Sequence, residues 1–219
     1  MIGIIGAMDV EVNGLVEKMS VDEEFLISSI KYFKGTMQGK DVVIAKCNPG
    51  KVNAAICAQT MILKFNPDVI INSGVAGGLD RSLGICDVAI ATDVVEHDMD
   101  TTPLGEPLGY ISGIDKIHIP ADKKICFVLE KCAKDLENTV VKCGTIASGD
   151  IFLNDNNIKN KIVENFNAIC GEMEGGSIGH VAYANGIPFG VIRVISDNAD
   201  SESNMDFPEF CAIAAKKIN

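Results

Sequence analysis

Six short motifs hold the residues of this chain whose types and spacing can do chemistry. They are Glu11 behind Gly6-Ala7-Met8, Asn48-Pro49-Gly50, the glycine-rich Ser73–Gly78, Ser148-Gly149-Asp150, Glu172-Met173-Glu174, and Arg193 followed by Ser196-Asp197. Carboxylates dominate the set and Arg193 is its only arginine. Acids with few cations and no cofactor motif suit the cleavage of a bond to a weakly charged polyol. Glycosidic cleavage passes through an oxocarbenium-like transition state, whose positive charge carboxylates stabilise. One acid protonates the leaving group while another activates water. Each residue also has a structural reading. Glu11 suits the first turn of a helix, Asp197 suits a helix N-cap, and Glu172 with Arg193 suits a buried ion pair. Glu172 and Glu174 follow an apolar run and precede Gly175-Gly176, so burial with partners is expected of them.

These motifs need elements to position them, and the chain alternates short aliphatic runs with helix-period segments, the pattern of an α/β fold. Ile2–Ile5 reads as a strand, followed by a helix carrying Val12, Leu15, Val16 and Met19. A hairpin-like region follows, Phe25–Lys34 and Asp41–Lys46 about a glycine-containing turn. The helix at Lys51–Lys64 is apolar almost all round, as expected of one buried within the domain or in a subunit contact. The strand Asp68–Asn72 is expected to end in a turn at Ser73–Gly78, and Val88–Thr92 is a further strand. His97–Pro120, with three prolines and three glycines, is a long loop of the kind that is functional or packed on a partner. An amphipathic helix over Ile125–Leu136 precedes three strand–helix units, with strands at Val140–Ala147, Ala168–Gly171 and Phe189–Ile195 and a last helix carrying Phe207, Phe210, Ala214 and Ile218. The polar motifs fall at the carboxyl ends of the strands, where ligands bind in open α/β sheets.

Composition removes several alternatives. In 219 residues, 19 Lys and Arg face 30 Asp and Glu, a net charge of −11, and only Arg81 and Arg193 are arginines. That balance opposes nucleic-acid binding and adhesion to an anionic membrane. No apolar run approaches the length of a bilayer span, and the start MIGIIGAMDVEV lacks the basic region of a secretory signal, so a cytoplasmic location is expected. The eight cysteines form no CxxC pair and read as reduced, mostly buried thiols. His97-Asp98-Met99-Asp100 has the residue types of a metal site, but three histidines in the whole chain make a poor supply, and no metal or cofactor is expected. His180 reads as packed or exposed on a helix. The dinucleotide fingerprint, the P-loop and the GxSxG elbow are all absent.

GIIGAM-x-x-E at Gly3–Glu11, INSGVAGGL at Ile71–Leu79, SGD-x-F at Ser148–Phe152, EMEG at Glu172–Gly175 and R-x-I-S-D at Arg193–Asp197 resemble, in the same order, the bacterial methylthioadenosine/S-adenosylhomocysteine nucleosidases of the nucleoside phosphorylase superfamily. The resemblance implies one nucleoside phosphorylase-like domain over 1–219, a three-layer α/β fold with a twisted, mixed, mostly parallel sheet flanked by helices, and a homodimer. It implies hydrolysis of the N-glycosidic bond of both thio-nucleosides, with release of adenine. By matched position, Glu11 is the base for water, and Asp197, held by Ser196, is the acid at N7 of adenine, with a pKa raised by burial. The resemblance puts Met173 and Glu174 on the ribose, with Arg193 positioning water and ribose. Phe152 stacks on adenine and the Leu153 backbone reads its edge. Met8 and Phe207 line the alkylthio pocket, and Ala76, Gly77 and Glu172 complete the substrate-binding set. The loop Thr101–Gly113 is implied to wall the neighbour's pocket.

The chain departs from the family pattern at Val75, where serine is frequent, and at Pro49, where an aliphatic residue is common. It also stops soon after Lys217, short of the family's usual last helix. Three rivals remain. A phosphorylase on the same fold needs a cationic phosphate site, for which two arginines are a meagre supply and beside which Glu11 is repulsive. A non-catalytic adenine-nucleoside sensor fits Val75. A related 6-substituted nucleoside is a further substrate, since backbone reads the base.

Overall fold

The computed structural model of the chain describes residues 1–198, which form a mixed α/β fold. In chain order the elements are β1 (Ile2–Gly6), α1 (Asp9–Glu17), β2 (Ser20–Ile27), β3 (Ile30–Met37), β4 (Lys40–Lys46), α2 (Lys51–Phe65), β5 (Val69–Gly78), β6 (Val88–Glu96), β7 (Ile119–Pro120), α3 (Lys123–Lys134), β8 (Val141–Ser148), α4 (Asn156–Phe166), β9 (Ala168–Glu172), α5 (Gly175–Ala184) and β10 (Phe189–Asn198). The last helix expected from Phe207, Phe210, Ala214 and Ile218 lies outside the described residues, and with it Phe207.

The strand order is β10-β6-β8-β9-β5-β1-β4-β3-β2, and β10 also pairs with β5. Five strands, β5, β10, β6, β8 and β9, therefore close into a ring, and the rest continue as an open wing. β1 lies parallel to β4 and β5, β10 parallel to β5, and β8 parallel to β6 and β9. The wing ends in an antiparallel meander, and β6 runs antiparallel to β10. Strands covered on both faces are aliphatic throughout, as in Val88–Ala91, all four buried. Helices seat on the sheet through four apolar clusters. Met61 and Ala58 of α2 and Ile178 of α5 join the largest, Val12 of α1 a second, Ala133 of α3 a third, and Ile162 with Phe166 of α4 a fourth. Two of the helices begin on aspartate caps. Asp122 accepts from the amides of Lys124 and Ile125, and Asp155 from that of Asn157.

Two expectations change. The segment Phe25–Lys34 is not one strand, because Ser28 and Ser29 both take positive φ, 52° and 63°, and turn the chain from β2 into β3. A two-residue turn of that kind usually announces itself as Asn-Gly; Ser-Ser carries no such signal. The stretch Ser73–Gly78 is not a turn but the second half of β5, held in strand by β10 and, at Gly77 and Gly78, by β9. Of the two alternatives for α2, burial within the domain does not cover the whole helix, since Val52 and Leu63 are 69% and 77% exposed in the single chain, and a subunit contact stays open. Of the seven described cysteines, Cys47, Cys57 and Cys170 are buried while Cys132 is exposed on α3. Among the described residues no helix is long and apolar enough to cross a membrane.

Candidate active site

The carboxyl ends of β1, β4, β5, β8, β9 and β10 open into one cavity, lined by parts of five of the six predicted motifs and by Ile151–Leu153, which directly follow the sixth. Met8, Ala76, Gly77, Phe152, Leu153 and Met173 give it apolar or backbone walls, and Glu11, Glu172, Glu174, Ser196 and Asp197 bring the polar groups. An apolar hollow with a few convergent polar groups is the usual form of a small-molecule site.

Glu11 sits in the first turn of α1 and is 3% exposed. One carboxylate oxygen, Oε2, accepts from the amides of Ala7 at 2.7 Å and Met8 at 2.9 Å; the other, Oε1, accepts from the Val75 amide at 3.0 Å. The structural reading of Glu11 as a first-turn carboxylate thus holds together with its place in the cavity. A carboxylate offers about four acceptor positions, so three backbone donors leave one, on Oε1. Val75 therefore holds Glu11 through its backbone, while its side chain packs with the cluster of Val88, Ile90, Ala133 and Val194. Between Glu11 and Arg193 lies Gly74. A Cβ there would come 2.5 Å from Arg193 Nη1 and 2.6 Å from Glu11 Oε1, so only glycine lets the two approach.

Arg193 is 1% exposed in the middle of β10, and its Nη2 donates to Asn72 Oδ1 and to Glu172. Glu172 is saturated: Ser148 Oγ donates to Oε1, while the amides of Glu174 at 2.9 Å and Gly175 at 2.7 Å reach Oε2. Burial pushes the Glu172 carboxyl up, but the Arg193 charge and these donors outweigh it and hold it below the usual range. The predicted ion pair is therefore present. Every donor that Glu172 meets is internal to the fold, so this residue of the cavity wall also braces Arg193.

Glu174 is the less supported partner. Its Oε1 accepts from the Gly50 amide at 3.0 Å, while its Oε2 lies 3.6 Å from Arg193, which is committed to Glu172. Burial, and after it the Glu172 charge, push Glu174 up to about 8. Asp197 is raised as well, by burial, against a smaller opposing effect of the Lys159 charge. It stands where the β10–β5 register slips, between Ile195 and Asp197, which turns its carboxyl toward Gly77. Ser196 does not hold it as expected. Its Oγ donates instead to the Ala76 carbonyl at 3.2 Å and ties β10 to β5.

The structure adds groups that motif reading passed over. Asn72 is fully buried, donates to the Ile5 carbonyl at 2.9 Å and takes one arm of Arg193. Its signal was an amide inside an aliphatic strand. Ile151 lines the cavity beside the predicted residues, Pro49 among them. The metal-like His97–Asp100 segment is used otherwise: Asp98 binds Lys51, and Asp100 caps the short turn at Thr102–Leu104. His180 is partly exposed and bonds Glu96 through Nδ1 at 3.0 Å. Chemically, the cavity sets Glu11, which faces Arg193, on one side against a carboxyl at Asp197 on the other whose raised pKa favours holding a proton.

The family model of the Phosphorylase superfamily matches residues 1–219. The 5′-methylthioadenosine/S-adenosylhomocysteine nucleosidase of Halalkalibacterium halodurans is 40% identical over 215 residues, 98% of this chain and 92% of that protein. Among solved structures, a mutant of the Helicobacter pylori nucleosidase with 5′-methylthioadenosine in its active site superposes with TM-score 0.92 at 36% identity, covering 99% of this chain and 94% of that one. A structure described as futalosine hydrolase of Helicobacter pylori matches at TM-score 0.92 and 36% identity, covering 99% and 93%.

Proposed function

The chain belongs to the phosphorylase superfamily and, within it, to the 5′-methylthioadenosine/S-adenosylhomocysteine nucleosidases, and from that premise we propose that it hydrolyses the N-glycosidic bond of both nucleosides, releasing adenine and the thio-ribose. The observation that carries this reading is the pairing, across one apolar cavity, of an anchored carboxylate at Glu11 with a raised carboxyl at Asp197.

In this mechanism Glu11 takes a proton from water through the open position on Oε1. The water oxygen bonds the anomeric carbon as the bond from that carbon to N9 breaks. The electron pair of that bond passes into the adenine ring, and Asp197 supplies the proton at N7. Positive charge that develops on the ribose is met by Glu11. Glu174 and Met173 bind the ribose, Arg193 sets the water and ribose side, and Glu172 and Asn72 fix Arg193. Phe152 stacks on adenine and the Leu153 backbone reads its edge. Ala76 and Gly77 supply backbone beside the base. Met8, with Phe207 from the undescribed segment, lines the alkylthio end.

Water rather than phosphate is the nucleophile. Arg193 is buried and already bound to Asn72, Glu172 and, more loosely, Glu174, so it offers an anion little. A homodimer, with Thr101–Gly113 against the neighbour's pocket, accords with the exposed Val52 and Leu63 on α2. The protein then works as one domain over 1–219, in the cytoplasm, in methionine salvage. The futalosine hydrolase neighbour adds futalosine as a third candidate substrate of the same site. Adenine release from methylthioadenosine, S-adenosylhomocysteine and adenosine, and base release from inosine and futalosine, test this reading. Release of adenine from the two thio-nucleosides excludes a sensor; failure on both overturns the proposal.

A further inference from the structure

Two walls of the cavity are joined behind the site by three residues that do not line it. Lys51, the first residue of α2, donates its backbone amide to Asp150 Oδ1 at 2.7 Å. Asp150 donates its own amide to Asp98 Oδ2 at 2.9 Å. Asp98 Oδ1 accepts from Lys51 Nζ at 2.7 Å, which closes the ring. Each end of this ring adjoins a cavity wall. Lys51 follows Gly50, whose amide holds Glu174, and Asp150 precedes Ile151–Leu153.

The ring answers a local need. Gly50 stands at the N-cap of α2 and has no side chain to cap the helix, so Asp150, 99 residues away, meets the exposed amide and the positive helix end. Further bonds brace Lys51: its Nζ reaches Glu96 Oε2 at 3.1 Å, and its carbonyl accepts from Ser177 Oγ at 2.7 Å. Glu96 in turn bonds His180. The charges are largely shielded, with the side chains of Lys51 and Asp98 each 19% exposed, so the bonds are stronger than surface pairs. Beneath the turn, the buried His97 imidazole fills the space a side chain at Gly149 would need, which fixes Ser148–Asp150 from the other side.

We propose that the Lys51–Asp98–Asp150 ring is a positioning device for the nucleoside cavity, setting the wall at Ile151–Leu153 against the Pro49–Gly50 wall that holds Glu174. This rests on the nucleosidase reading of the cavity. Lys51→Met removes the ammonium but keeps the stem. It is expected to raise the KM for methylthioadenosine and the adenine Kd by about tenfold, with kcat changed less than threefold, because the walls shift while Glu11 and Asp197 stay. Lys51→Arg, which still bridges Asp98 and Glu96, is expected to restore both constants to within about threefold of the parent. Asp98→Asn is expected to behave as Lys51→Met does, and the double variant to be no worse than about threefold below the poorer single one, since both break one ring. Unchanged KM and adenine Kd in folded Lys51→Met protein, equal impairment in Lys51→Arg, or full additivity overturns the proposal. If Lys51→Met does not fold, Asp98→Asn decides by the same two constants. A parent that binds adenine calorimetrically but turns over no nucleoside overturns the nucleosidase reading instead, while its adenine Kd still reads the ring.

Discussion

Replacing Gly74 by alanine tests whether the approach of Glu11 to Arg193 matters for turnover. The added Cβ would stand 2.5 Å from Arg193 Nη1 and 2.6 Å from Glu11 Oε1, where ordinary contact begins at 3.4 Å. Each group must therefore retreat by nearly an ångström. Neither has an easy path. Arg193 is 1% exposed and bonded to Asn72 and Glu172, and Glu11 is pinned by three backbone amides. A misplacement of about 1 Å costs about a hundredfold in rate, or about 2.7 kcal/mol of transition-state stabilisation. The assay is kcat/KM for methylthioadenosine by adenine release, with thermal unfolding to confirm the fold. Gly84→Ala serves as control, because a Cβ there meets only Asp87 Oδ2, at an ordinary 3.4 Å. A Gly74→Ala enzyme within about threefold of the parent would refute the reasoning.

Asp197→Asn is expected to lower kcat by about 10²–10⁴-fold, because an amide is no acid for N7; near-normal turnover removes Asp197 from the chemistry. Glu11→Gln is expected to lose turnover while still binding adenine in calorimetry, and a rate within about threefold of the parent contradicts its role as base. Glu174 makes stability depend on pH. Its carboxyl is raised from an ordinary 4.5 to about 8 in the fold, so between those values the native state holds a proton that the unfolded chain has released. Its contribution to stability therefore declines as pH rises from about 4.5 to about 8. Denaturant unfolding of Glu174→Gln beside the parent should show the variant gaining on the parent across that window, and a pH-independent difference speaks against the raised carboxyl. In solution at micromolar concentration, light scattering should return twice the chain mass, whereas a monomer contradicts the shared pocket.

Much of the order of elements was legible because buried strands demand unbroken aliphatic runs, as at Val88–Ala91 and Phe189–Ile195, and helices show their period, as at Ile125–Leu136. The site was legible for a related reason: polar residues such as Glu172 and Asp197 stand out where aliphatic strands end. What stayed hidden was long-range partnership. No local pattern links Gly50 to Glu174 or Lys51 to Asp150, and no pattern says that Ser196 bonds the Ala76 carbonyl rather than Asp197. Nor does a glycine-rich stretch declare itself a strand: Ser73–Gly78 is one because β10 pairs along it and because Arg193 and Glu11 need the space above Gly74. Val75 looked like a loss for the same reason, since its backbone contact with Glu11 leaves no trace in side-chain identity.

The identity of the nucleophile is the central claim, and the sugar product reports it directly. Methylthioadenosine turned over by the purified protein in excess phosphate, with the products resolved by mass spectrometry, should yield free methylthioribose at the same rate as in phosphate-free buffer. Methylthioribose 1-phosphate as the product, with no turnover when phosphate is withheld, would contradict it.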